Sequence, residues 1–342
     1  MRFSDRPAVI AKVLCVFVAS AALSPAAAGL TLKVATLAPA GSVWMQEMQA
    51  AAEAVATHSE GRVALRFYPG GVMGDTPTLL RKMQLGQLHG AAASLGELAS
   101  TVGDGELYSM PFLFRDQAEF EALRPDLDQR IAAAFAAKGL LLAGTTNSGI
   151  VYLYSRHRAA SADELAATAR VWAPQGDIIT IDTLAKAGIK AVPLPIAEVY
   201  TGLQTGLVDT VVNTMSGLIA LQWHSRVRYM IDLPIALSVS GVIFQERALA
   251  PLAAADRERL VAETAAALRR LDRRVAAENA DARSALRHSG IEIIQPDSGS
   301  RGAWEKMARE VRHALLAAGK IDQPSLRWVE ERLSARRAAA NE

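Results

Sequence analysis

Met83-Gln84-Leu85-Gly86-Gln87-Leu88-His89-Gly90 runs into an Ala-rich stretch ending at Ser94. Leu203-Gln204-Thr205-Gly206-Leu207-Val208-Asp209-Thr210 runs on to Thr214. The second segment echoes the first. Each reads as a helix end, a Gly at the C′ position, two linking residues and a buried strand that ends on a hydroxyl residue. Gly suits that position because it enters the left-handed region without steric cost. The repetition predicts two related α/β halves facing each other across a cleft.

The likeness extends upstream. Lys33-Val34-Ala35-Thr36-Leu37-Ala38-Pro39 reads as a strand running into a Pro turn, and Arg170-Val171-Trp172-Ala173-Pro174 has the same form. Helical stretches follow, Val43–His58 in one half and Asp177–Ala187 in the other. Second strands come next, Arg62–Tyr68 and Ile189–Leu194, and each leads to a short helix ending at the repeated Gly. Each half is therefore β-α-β-α-β, the order that builds a parallel sheet covered by helices.

The chain opens as a targeting segment. Arg2, Arg6 and Lys12 form a basic region, Val13–Leu23 an apolar run, and Ala26-Ala27-Ala28 a cleavage site, so the mature chain is expected to start near Gly29. The apolar run is short for a bilayer span of about 20 residues. Cys15, the one cysteine, lies in that run, so the mature chain uses neither disulfides nor thiol chemistry. The formal charge of +2 is supplied by Arg2, Arg6 and Lys12 against Asp5. A near-neutral mature chain has no basic excess for nucleic acid.

Beyond the halves, Thr76-Pro77 reads as a helix start with a capping hydroxyl, and Ser161-Ala162-Asp163-Glu164 has capping-box spacing. A helix is expected near Ala118–Ala137, a strand over Lys138–Thr146, and two more over Val227–Ile235 and Leu237–Phe244. From Pro251 to His288 runs one long charged, Ala-rich helix with few large apolar residues, placed on the surface where it would brace both halves. A short strand at Ile291–Ile294 and helices near Arg301–Ala318 and Pro324–Arg337 close the chain.

The chain carries no H-E-x-x-H, C-x-x-C, G-x-S-x-G or G-x-x-x-x-G-K-[ST] pattern. Gly70–Gly74 lacks the Lys and hydroxyl of a phosphate loop and reads as a turn, and the six histidines are scattered. The expectation is no enzyme, no cofactor and no metal. Ligands of open parallel sheets bind beyond the carboxyl ends of the strands. Here those ends and their surroundings give a candidate ligand set of Trp44, Gly96, Phe112, Ser148, Trp172, Pro174, Gln175, Asn213, Thr214, Met215 and Trp223.

Together these landmarks resemble the solute-binding subunits of TRAP transporters, the DctP-like family. Further matches are Gly61-Arg62-Val63, Met110-Pro111-Phe112-Leu113-Phe114 and Glu198-Val199-Tyr200. The resemblance implies an α/β, two-lobed periplasmic-binding-protein-like fold, each lobe a mainly parallel sheet covered by helices, with crossing strands and a long bracing helix. It implies a signal peptide over 1–28, one lobe from 29–147 plus about 236–275, a second from 148–235, and C-terminal helices over 276–342 packing across both. It implies a periplasmic protein that delivers a small-molecule ligand to TRAP membrane permease subunits. Presentation to a sensor would use the same cleft, and an enzyme on this scaffold is the remaining alternative. Most relatives place a carboxylate-gripping arginine where this chain has Trp172. Arg170 lies two residues earlier, a second basic position of some relatives is Val151, and Asn213 alone survives of a Glu-Asn-Pro stretch. These departures lead to the expectation of a substantially apolar ligand and of the subgroup with a tetratricopeptide-type partner. They also lead to the expectation that Trp172→Ala weakens binding more than it destabilises the empty protein.

Overall fold

The computed structural model describes residues 29–339 apart from Ser100 and Lys320, so the expected targeting segment lies outside the described residues. The first half contains β1 (Leu30–Thr36), α1 (Val43–His58), β2 (Val63–Tyr68), α2 (Thr76–Gln84) and β3 (Gly90–Ser94). Short helices α3 (Leu95–Leu98) and α4 (Glu106–Ser109) precede α5 (Gln117–Ala136) and the long strand β4 (Leu140–Ser155). The second half contains α6 (Ala162–Thr168), β5 (Arg170–Pro174), α7 (Ile178–Lys186) and β6 (Lys190–Leu194). It continues with α8 (Val199–Thr205), β7 (Thr210–Thr214) and α9 (Met215–Ala220). Strand β8 (Tyr229–Gln245) and α10 (Glu246–Leu249) lead into α11 (Ala254–His288). Then come β9 (Glu292–Ile294), α12 (Ser298–Ala317) and α13 (Gln323–Ala339).

The strand order is β2-β1-β3-β8-β4-β7-β5-β6, with β9 beside β8. It reads alike from both ends: a parallel trio, then an antiparallel crossing strand. The repeated segments occupy equivalent places, with Gly86 at φ +74° and Gly206 at φ +79°. Three residues, not two, separate each Gly from its strand, because His89 and Asp209 fasten the turn before the ladder begins. His89 donates its N–H to the Lys33 carbonyl at 2.9 Å, and its Nδ1 accepts the Lys33 N–H at 2.9 Å. Asp209 does the same with Arg170, at 3.1 and 2.9 Å. Two side chains of different chemistry thus close the same joint.

That joint requires a neutral imidazole acceptor in the first half. Burial, and then the Lys33 charge, hold His89 below its ordinary value of 6.5. A histidine lowered in the folded state stabilises the fold above the unfolded value, and that contribution is lost as pH falls below it. Urea midpoints of the wild type are expected to fall as pH drops below about 6.5 by more than those of His89→Asn. Parallel pH profiles for the two proteins would refute the assignment.

Expected elements and observed ones differ where the chain crosses between lobes. The separate strands over Val227–Ile235 and Leu237–Phe244 are one strand, β8, and Lys138–Thr146 extends to Ser155. The two crossing strands pair antiparallel along nearly their whole length. Between Ala236↔Val151 and Ile231↔Leu153, residues 232–235 bulge out of the ladder. Pro234 sits in that bulge and has no N–H to give. The carbonyl of Ile235 instead accepts the Phe112 N–H at 2.7 Å. A second difference is at α2, where Asp75, not Thr76, is the cap and accepts the Thr78 N–H at 3.1 Å. The Thr76 hydroxyl is used elsewhere.

Helix α11 lies along both lobes, fastened mainly by polar contacts. Leu260, Ala267 and Leu268 join a first-lobe core, and Ala282 and Leu286 join the second-lobe core. Between them, Arg270 and Arg274 clasp Glu47 of α1 at 2.7 and 3.0 Å. Asp272 accepts from Arg124, the Thr146 hydroxyl and the Asn147 N–H at 2.7–2.8 Å. Asn279 donates to the Ser148 carbonyl and accepts from the Ser216 N–H, and Arg283 pairs with Asp232. Helix α12 follows the same plan. Trp304 and Met307 pack on the second-lobe core, while Val311 and Leu315 pack on the first.

Candidate ligand-binding cleft

Between the lobes lies a cavity of about 370 Å³. Its first-lobe wall comes from the turn after β1, the end of β3 and Glu97 of α3. Its second-lobe wall comes from the ends of β5 and β7 and the first turns of α7. Its back is the crossing strands. The two facing walls come largely from strand ends and helix starts, as two parallel halves facing each other require, and the back from the middle of the crossing strands. A second cavity of about 350 Å³ adjoins it, sharing Leu37, Glu97 and Ile196 and adding Asp75, Gln175 and Glu198.

Six of the eleven candidate residues line the larger cavity: Trp44, Ser148, Trp172, Pro174, Asn213 and Thr214. Gln175 lines the adjoining one. The other four lie behind the wall. Gly96 is buried, and a side chain there would strike the Ser109 hydroxyl at 2.6 Å, so it spaces α3 from α4. Phe112 packs against the second-lobe core at φ +54°. Met215 is buried at the start of α9. Trp223, 1% exposed, backs Trp172 edge-to-face, with ring centroids 5.1 Å apart and planes at 79°.

Trp172 differs from its expected role in one respect. Its indole N–H is already donated to the Leu194 carbonyl at 2.9 Å, so it offers a ligand only apolar surface. Trp44 serves two purposes: it lines the cavity and packs edge-on against Phe67. Arg170 lies outside the lining, its guanidinium paired with Asp209 at 3.2 Å. Asn213 turns its amide oxygen back to the Thr214 N–H at 2.8 Å.

The charged lining was not anticipated. Glu97 accepts the Thr76 hydroxyl at 2.7 Å. Burial pushes its carboxyl up to about 7 against that hydrogen bond, with Asp177 and Asp75 adding like charge. Asp177 caps α7, accepting the Thr180 N–H at 2.9 Å and its hydroxyl at 2.7 Å, and is raised by burial. Ser94 and Glu97 have capping-box spacing, which would assign Glu97 to its own helix. Ser94 makes no side-chain capping bond, and Glu97 reaches α2 instead. Trp304 also lines the cavity, delivered by α12 from far along the chain. No local pattern in the sequence signals that approach. Among the described residues, no group of three or more His, Cys, Asp or Glu side chains is placed to hold a metal.

The model of the family described as "Bacterial extracellular solute-binding protein, family 7" matches residues 34–318. A "Solute-binding protein" of Chromohalobacter salexigens is 26% identical over 167 residues, 48% of this chain and 49% of that protein. The match thus spans about half the length of that relative. A TRAP periplasmic solute-binding protein of Xanthobacter autotrophicus Py2, solved with β-D-galacturonate, has a TM-score of 0.81 at 18% identity. It covers 89% of this chain and 99% of that one. The corresponding protein of Desulfovibrio salexigens, with orotic acid, has a TM-score of 0.80 at 18% identity, covering 90% and 99%. The two-lobed fold is shared with both. These ligands are polar acids, and the cleft here is edged by four carboxyl side chains, so the expectation of a substantially apolar ligand is corrected. Nothing in these relatives' names bears on a tetratricopeptide-type partner.

Proposed function

The chain belongs to the family-7 bacterial extracellular solute-binding proteins, and we propose that it is the solute receptor of a TRAP-type transporter. The observation that carries this reading is the cavity itself: strand ends and helix starts of two mirrored halves enclose a volume suited to one small molecule. The lobes, 29–147 with about 236–275 and 148–235, close on the solute around the crossing strands. The protein works in the periplasm after loss of 1–28 and hands its solute to membrane permease subunits. No helix among the described residues is long and apolar enough to cross a membrane, so transport requires such a partner. Uptake of the bound compound into permease-containing liposomes should depend on added protein. Compound bound with no stimulated uptake would move the reading to presentation to a sensor. Chemical turnover of the bound compound would make the protein an enzyme.

A further inference from the structure

Hydroxyl side chains recur around the larger cavity. Some are committed to the fold: Ser42 caps α1, Thr214 caps α9, and Thr180 donates to Asp177. Ser94, Ser148, Ser238 and Ser240 are not. Each lines the cavity and is half-buried. None of their hydroxyls has a hydrogen-bond partner among the described residues, and none is sealed from solvent, as the Thr183 hydroxyl is.

Strand register explains why these serines fall together. Ser94 of β3 stands opposite Ser240 of β8, so the two share a face at a separation of about 5 Å. Ser238 follows two residues along β8, on the same face and about 7 Å away. Ser148 stands next to it, at the irregularity of β4 where Gly149 pairs with Ser238.

A free serine hydroxyl both donates and accepts, and the group that matches it in both senses is another hydroxyl. Charged groups are served less well. The lining of the two adjoining cavities has no Lys, Arg or His among the described residues. The helix starts on its walls are taken by their own caps, Ser42, Asp177 and Thr214. A buried anion would therefore find no countercharge. The carboxyls of the larger cavity, Glu97 and Asp177, already accept hydroxyl hydrogen bonds from Thr76 and Thr180. Much of the remaining lining, such as Leu37, Trp44 and Trp172, is apolar. A ring that carries hydroxyls on its edge leaves C–H faces for that surface.

We propose that the solute is an uncharged, polyhydroxylated ring compound of the glycoside or cyclitol class. Its hydroxyls bond Ser94, Ser148, Ser238 and Ser240, and its C–H faces lie on the apolar lining. The proposal rests on the reading of the cleft as a solute site.

The test is calorimetric titration of the purified chain with a panel of ring compounds. The uncharged members are myo-inositol and both anomers of methyl glucoside and methyl galactoside. The charged members are glucuronate, galacturonate, glucosamine and galactosamine. At least one uncharged member is expected to bind, at least about tenfold tighter than any charged one. Ser94→Ala and Ser240→Ala should each lower that affinity by about 2–10-fold, the range of one neutral hydrogen bond. Their urea midpoints should stay at the wild-type value, because neither hydroxyl bonds within the described protein. Unchanged affinity in both variants would overturn the serine row as the contact. Tightest binding of a charged member would overturn the uncharged class and leave the solute reading standing. Binding of no panel member would also overturn the class. Capture of a compound from a metabolite extract by the same protein would then keep the solute reading, and capture of none would end it too.

Discussion

Trp172→Ala is expected to lower unfolding stability by about 3–5 kcal/mol, as truncation of a buried large aromatic side chain does. The indole is 3% exposed, packs edge-on against Trp223 and satisfies the Leu194 carbonyl. Truncation removes that packing and leaves the carbonyl without its donor. It also opens space continuous with the solute cavity, which the surrounding strands cannot collapse to fill. Solute affinity should fall together with stability. The sequence alone suggests a binding effect larger than the stability effect, and the structure corrects this, because the indole is both wall and core. Trp172→Phe separates the two roles. It keeps an aromatic face but loses the N–H, at a cost of about 1–2 kcal/mol, the range for a lost buried hydrogen bond. Its solute affinity should stay within a few-fold of wild type. Chemical denaturation and calorimetry on the three proteins decide the matter, and wild-type stability in Trp172→Ala would refute the packing described here.

Asp272→Ala is expected to cost about 2–4 kcal/mol, because it removes one partner from a largely buried ionic cluster. Asp272 joins α11 to the crossing strand through the Thr146 hydroxyl and the Asn147 N–H. It also neutralises Arg124, whose side chain is 12% exposed. Without it, Arg124 retains Asp128 at 3.5 Å and the Thr145 carbonyl, while the Asn147 N–H loses its acceptor. The double substitution Arg124→Met/Asp272→Leu should recover part of the loss, since the Arg124 charge goes with its Asp272 partner, while Asp128 keeps the Tyr108 and Thr145 hydroxyls as donors and Glu121 is half-exposed. Equal stability of Asp272→Ala and the wild type in urea would mean that the clasp contributes nothing. A double variant no better than the single would assign the loss to the strand contacts and not to the Arg124 charge.

Much of this fold was legible in the sequence because it is written in local patterns. The first helix was expected over Val43–His58, and α1 has those bounds. The repeated Gly residues adopt the left-handed conformation that their position implies. Two segments were expected over Val227–Ile235 and Leu237–Phe244; the ladder does break around Pro234, but the strand resumes because β4 pairs on either side. The long helix was readable as a surface brace from its scarcity of large apolar residues, and its polar clasps bear that out.

The cleft was only partly legible. Strand ends locate a wall, so Trp172, Pro174, Asn213 and Thr214 were within reach of a sequence argument. Which side of the wall a residue occupies depends on packing between elements. Trp223 and Met215 lie near the right strands and face the core instead. Glu97 was hidden by a capping-box spacing that its neighbour Ser94 does not use. Trp304 reaches the cavity from α12, whose two halves pack on different lobes. Such placement is a property of the assembled tertiary structure and leaves no trace in local spacing.

The central claim is that one small solute is held between the two mirrored halves. The most direct test is a crystal structure of the protein with the compound it captures from a metabolite extract. The compound should lie within about 4 Å, ordinary contact distance, of Trp172 and Asn213 on one lobe and Glu97 on the other. A compound bound elsewhere on the molecule, with the cleft between the lobes empty, would contradict the account.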